Sequence, residues 1–162
     1  MNWAAIAQGL TLVFLANGAP LLAARLCGNV GAYPIDFHLK FADGAPVLGA
    51  SKTFRGVGAS LAATTLAALA MGLPWHAGAL AAAGAMAGDA FSSFVKRRFR
   101  VPSQGMAPGV DQGPESLVPL LLLKGELGLR LVDVAVAVLL FWIGALLLSR
   151  ALYALRLRER PY

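Results

Sequence analysis

Cysteine and histidine are almost missing from this chain of 162 residues, which has one Cys, Cys27, and two His, His38 and His76. A lone cysteine cannot close an internal disulfide. His76, beside Trp75, has no second histidine or cysteine nearby in sequence, so a zinc-type ligand set is excluded. Charge is scarce as well: 14% of residues are charged against 58% hydrophobic, with a mean hydropathy of +0.68. A soluble domain of this size needs far more polar surface, so the composition implies an integral membrane protein whose residues 1–162 form one compact helical domain. The N-terminus, MNWAAIAQGL, lacks the basic start of a cleaved leader, and its apolar stretch is expected to stay as a helix. Neither GxxxxGK[ST] nor GxGxxG occurs, which removes support for a P-loop or a dinucleotide fold. The net charge of +6 lies in separate clusters beside apolar runs. That pattern excludes a nucleic-acid partner and fits membrane lipids.

What is present predicts an all-α, polytopic fold of five transmembrane helices whose cytoplasmic loops form the site. The apolar runs place spans at about Trp3–Ala24, Gly56–Leu73, Ala77–Val95, a short one in 116–123, and Leu131–Ser149. The fourth is well short of the roughly 20 residues that cross a bilayer directly. Five spans with the N-terminus outside put Arg25, Lys40, Lys52, Arg55, Lys96, Arg97, Arg98, Arg100 and the basic tail inside, leaving only Lys124 and Arg130 outside. Four spans would divide these basic loops between the two sides. The protein is therefore expected in the inner membrane with its C-terminus cytoplasmic. Asn17, Gly18 and Pro20 predict a kink or break in the first span, with Asn17 bonding a neighbouring helix or serving as a secondary site residue. Asp133 is expected at the interface. The loop from Arg25 to Arg55 is long for so small a protein, and its aromatic residues predict a folded lid. Ser51 is expected to cap the second helix, with Lys52 and Arg55 one turn apart at an anion-attracting helix start. Gly84 and Gly88, in GxxxG spacing, predict a helix packed beside Asp89.

The site is expected between Gly88 and Asp111. On a helix, Asp89, Ser93, Lys96 and Arg97 fall largely on one face. An aspartate about 10 Å deeper than a basic cluster is costly in hydrocarbon unless it meets protein, water or an ion. Pro102, Pro108 and Pro114 prevent a continuous helix, so the following loop can bring Asp111 back towards Asp89. Two aspartates with several phosphate-binding cations point to Mg²⁺ and a polyphosphate, since magnesium takes one or two carboxylates and completes its shell from phosphate and water. Such a site can hold a nucleoside triphosphate while a lipid phosphate, already anionic, attacks the α-phosphorus without a histidine base. The competing reading is a small membrane transporter or binding protein with an anion or metal site, which broken helices in two repeated halves would favour.

The segments PIDF from Pro34, Asp43-Gly44, Leu48-Gly49, SKTFRG from Ser51, Gly88-Asp89, Ser93-Phe94, Lys96-Arg97-Arg98 and Asp111-Gln112 together resemble the CDP-archaeol synthase family. These are small five-helix enzymes distantly related to bacterial CDP-diacylglycerol synthases. The resemblance covers nearly the whole chain and implies transfer of a cytidylyl group from CTP to a lipid phosphate, with release of pyrophosphate and with Mg²⁺. It places Asp89 and Asp111 on the metal and Lys52, Arg55, Lys96 and Arg97 on the nucleotide phosphates as catalytic groups. It also places Ser93 and Gln112 beside them, and Asp36 and Asp43 in ordering the first loop or the cytidine side. The chain departs from the family pattern at His38, where glycine is usual, at Ala45 and Pro46, where basic residues are usual, and at Ala50 and Phe54. The acceptor stays open between an archaetidic-acid-like ether lipid and phosphatidic acid, and a homo-oligomer stays open as well.

Overall fold

The computed structural model describes residues 1–101 and 109–154. It is all helical: α1 (Trp3–Cys27), α2 (Phe54–Ala70), α3 (Trp75–Arg98), α4 (Gln112–Leu122) and α5 (Leu131–Ala154). Their apolar residues are not confined to one stripe, and outward-facing Leu22, Leu66, Leu139, Ile143 and Leu147 are all more than half exposed. Helices apolar on every side are those whose outer face meets lipid. Three of them, Trp3–Cys27, Trp75–Arg98 and Leu131–Ala151, are long and apolar enough to cross a membrane. The 17 residues of α2 and the 11 of α4 reach only about 26 and 17 Å.

Side-chain ties show that the helices alternate between two ends. At one end the backbone N–H of Asn2, just before α1, donates to Asp133 Oδ1 at the start of α5 (3.4 Å). There His76, opening α3, also meets Glu126 beyond α4 (3.0 Å). At the opposite end the C-terminus of α3, the loop before α2 and the N-terminus of α4 converge. Between these ends Ile6, Leu12, Leu120, Leu123 and Phe141 are almost fully buried.

Close packing of α3 depends on glycine. A methyl group on Gly78 would collide with the Thr64 and Thr65 backbone of α2, one on Gly84 would stand 2.6 Å from Pro119 Cα of α4, and one on Gly88 would strike the Pro114 carbonyl. Small residues let helix backbones approach to this degree. The partner helix expected beside Asp89 is thus α4.

Several local expectations are corrected. α1 runs unbroken through Pro20, and Asn17 Nδ2 donates to Val13 O of its own helix (3.0 Å). The cap of α2 is Thr53 instead of Ser51. Pairing of Thr53 with Pro34 holds its backbone extended, and its Oγ1 accepts from the Gly56 N–H (3.1 Å). Asp133, in the first turn of α5, is fully buried within the protein; it accepts from the backbone and side chain of Arg130. The prolines at 102 and 108 and the arginines at 156, 158 and 160 lie outside the described residues.

Candidate functional site

The first loop is folded, and Asp36 organises it. Its carboxylate is 6% exposed and accepts from the backbone N–H groups of His38 (3.1 Å), Leu48 and Gly49 (3.0 Å each). Burial opposes its ionisation, but those three donors outweigh it and hold the group below the usual carboxylate range. The ends of the loop are tied as well: Ile35 N–H donates to Lys52 O (2.8 Å) and Phe54 N–H to Tyr33 O (3.0 Å). This short pairing fixes where Lys52 leaves the chain.

Lys52 Nζ then reaches Asp89 Oδ2 on α3 at 2.5 Å. Asp89 stands next to Gly88, so the same close approach that seats α4 sets the depth of this carboxylate. Two turns further along α3, Lys96 Nζ meets Asp111 Oδ1 at 2.6 Å. Asp111 precedes α4 as its N-cap but makes no capping bond with its side chain, leaving its charge at the positive end of that helix. Ser92 holds the segment in place by donating to Gly88 O (2.9 Å) and Val110 O (2.6 Å). All four charged side chains of the two pairs are 12–26% exposed.

A third acid lies between the pairs. Glu115, in the first turn of α4, has its Cα beside Gly88. Composition and motifs do not single out this residue. The available cue was its i, i+4 spacing from Asp111, which puts both acids on one face of a helix entered there.

The remaining expected residues divide. Ser93 is buried on α3. Arg97 is 5% exposed and its guanidinium donates to Val101 O, closing the C-terminus of α3. Gln112 Oε1 accepts from Gly109 N–H (3.0 Å), shaping the turn that presents Asp111. Arg55 donates to the carbonyls of Gly28 (2.9 Å) and Val30 (2.6 Å) at the start of the first loop. Asp43 lies at the tip of the first loop and accepts from Arg98 (3.1 Å). Arg98, singled out only as part of the basic run, also donates to Pro46 O (2.7 Å) and sits 4.6 and 4.8 Å from the Phe41 and Phe94 ring centres. It clasps the loop to α3.

Two half-buried carboxylates, each already holding a cation, are a donor set suited to a small hard metal that draws its other ligands from phosphate and water. Among the described residues no three acids, histidines or cysteines stand close enough to cage a metal unaided. The broken first helix that a transport pathway would draw on is absent, since α1 is continuous.

Comparison with known proteins agrees with the residues. A family model described as CarS-like, CDP-archaeol synthase, matches residues 75–162. CDP-archaeol synthase of Pyrobaculum calidifontis is 34% identical over 154 residues, covering 92% of each chain. That of Methanosphaerula palustris is 36% identical over 88% of this chain and 96% of its own. A solved structure, described as an intramembrane enzyme for archaeal membrane lipids biosynthesis, superposes with a TM-score of 0.71 at 31% identity, over 88% of this chain and 90% of that one.

Proposed function

The chain belongs to the CDP-archaeol synthase family and is a nucleotidyltransferase; on that premise we propose that it moves a cytidylyl group from CTP to a membrane lipid phosphate and releases pyrophosphate. An oxygen of the lipid phosphate forms a bond to the α-phosphorus, and the bridging oxygen between the α- and β-phosphorus atoms departs with pyrophosphate. The observation that carries this reading is the pair of contacts Lys52–Asp89 and Lys96–Asp111 at one end of the helices. Each pair offers a carboxylate for a metal and an ammonium for a phosphate. Asp89 and Asp111 would hold Mg²⁺, which when bound neutralises triphosphate charge and polarises the α-phosphorus. Lys52 and Lys96 exchange carboxylate for phosphate oxygen as substrates enter, and they spread the charge that develops on transfer. Arg97 and Gln112 keep the end of α3 and the Asp111 turn in place. Asp36, Asp43, Arg55 and Arg98 keep the first loop over them.

In our reading the chain is one domain that crosses the membrane five times, with the N-terminus outside and the C-terminus cytoplasmic. The alternating helix ends support this, as do Lys40, Lys52, Arg55 and Lys96 to Arg98 at the site end against Lys124 and Arg130 opposite. The acceptor is a glycerolipid phosphate of the archaetidic or phosphatidic kind. Purified protein given labelled CTP, Mg²⁺ and each lipid phosphate in turn should form CDP-lipid and pyrophosphate in equal amounts. Asp89→Asn and Asp111→Asn should each cut the rate by roughly 100-fold or more while remaining folded in detergent. Failure of every lipid phosphate to react would defeat the proposal.

A further inference from the structure

A small open cleft lies between α1, α2 and α3 beside Asp89, with no α4 residue in its lining. Its lining is divided by polarity. Lys52, Ser51, Thr53 and Asp89 form a polar floor, while Pro20, Ile35, Val57, Met86 and Ala90 form apolar walls. Gly56 lets Pro20 of α1 approach the base of α2, where an added methyl group would stand 3.3 Å from Pro20 Cβ. The cleft also has an apolar exit. Phe54, Val57 and Leu61 lie on one face of α2 at i, i+3, i+7 spacing and are 51%, 36% and 45% exposed. That stripe leads from the rim of the cleft along a helix whose outer side faces lipid.

A site with a cation at its floor, apolar walls and an apolar exit complements a ligand with an anionic head and a hydrocarbon tail. It does not complement a nucleotide, whose sugar and base need polar partners beyond the phosphates. We propose that this cleft seats the lipid phosphate, with its phosphate on Lys52 and its chains leaving along Phe54, Val57 and Leu61 into the bilayer. The nucleotide then approaches from the opposite flank, where Lys96 and Asp111 stand. Lys52 and Lys96, which the family resemblance places together on the nucleotide, serve different substrates: Lys52 takes the phosphate that attacks and Lys96 the phosphates that leave. Asp89, between the two flanks, is the point at which the substrates meet. This inference rests on the cytidylyl-transfer reading and divides its site between the two reactants.

Two measurements test it on the intact protein in detergent or vesicles. Val57→Trp, at a half-exposed position, fills the mouth of the cleft. It should raise the KM for lipid phosphate at least tenfold while the affinity for CTP with Mg²⁺, measured by calorimetry, stays within twofold. An unchanged lipid KM in the folded variant would overturn the assignment. The unaltered enzyme gives the second test, with inorganic phosphate, butyl phosphate and dodecyl phosphate as inhibitors. The alkyl phosphates should compete with lipid phosphate and not with CTP, more strongly as the chain lengthens. Competition with CTP, or potency independent of chain length, would refute the seat. If the unaltered enzyme turns over no lipid phosphate, the cytidylyl-transfer proposal itself fails, an outcome distinct from turnover that ignores Val57→Trp.

Discussion

At the scale of single residues, the site depends on where carboxyl groups sit relative to backbone donors and to one another. Asp36 is ionised in the fold at a pH where an ordinary carboxyl would already be protonated, because three N–H groups point at it. Its contribution is therefore complete above the ordinary value of 3.8 and is lost as the pH falls through its lower folded value. The protection of the Leu48 and Gly49 amides against hydrogen exchange should hold down to the ordinary carboxyl value of 3.8 and be lost only below it. Asp36→Asn should expose both amides at every pH, at a cost of about 1–3 kcal/mol. His38 shows how a sequence anomaly becomes physical: its φ is +60°, the left-handed region that favours glycine, the residue usual at this position in the family it resembles.

At the scale of helices, Gly88 connects packing to chemistry. The α3–α4 contact brings the Pro114 carbonyl and Glu115 Cα against it, and this contact sets the separation of Asp89 from Asp111. Gly88→Ala must push the helices apart, so it should destabilise the protein by about 1–3 kcal/mol. It should also weaken the affinity for CTP with Mg²⁺, although Gly88 touches neither. Full affinity in this variant would show that the helix spacing does not set the site. The helices themselves were largely legible. Long apolar runs marked α1, α3 and α5, and the Gly84/Gly88 spacing announced the neighbour of α3. What periodicity could not supply was the direction of loop side chains. Ser51 and Thr53 are equally good caps by composition, and only pairing of Thr53 with Pro34 decides between them. Arg55 reads as a phosphate ligand until the Gly28 and Val30 carbonyls are seen to occupy it. Within the basic run each step along α3 turns the side chain by about 100°, so Arg97 is buried against Val101 while Arg98 lies over two aromatic rings.

At the scale of the whole molecule, the five helices alternate so that the basic and acidic residues far apart in sequence meet at one end. Asp89 and Asp111 were legible as candidates because acids beside apolar runs are costly unless they meet a partner. Their assigned cations were only half legible. Lys96 was expected on the same face of α3 as Asp89, but the 37-residue reach of Lys52 to Asp89 depends on a loop fold that no local pattern encodes. The central claim is that the two aspartates act on one bound metal–triphosphate. A double-mutant cycle on the affinity for CTP with Mg²⁺, using Asp89→Asn, Asp111→Asn and the pair together, measures this sharing directly. The account predicts strong non-additivity, with the double variant losing little more than either single one and a coupling of at least about 1 kcal/mol. Losses that add to within about 0.5 kcal/mol would mean that the two carboxylates serve separate ligands.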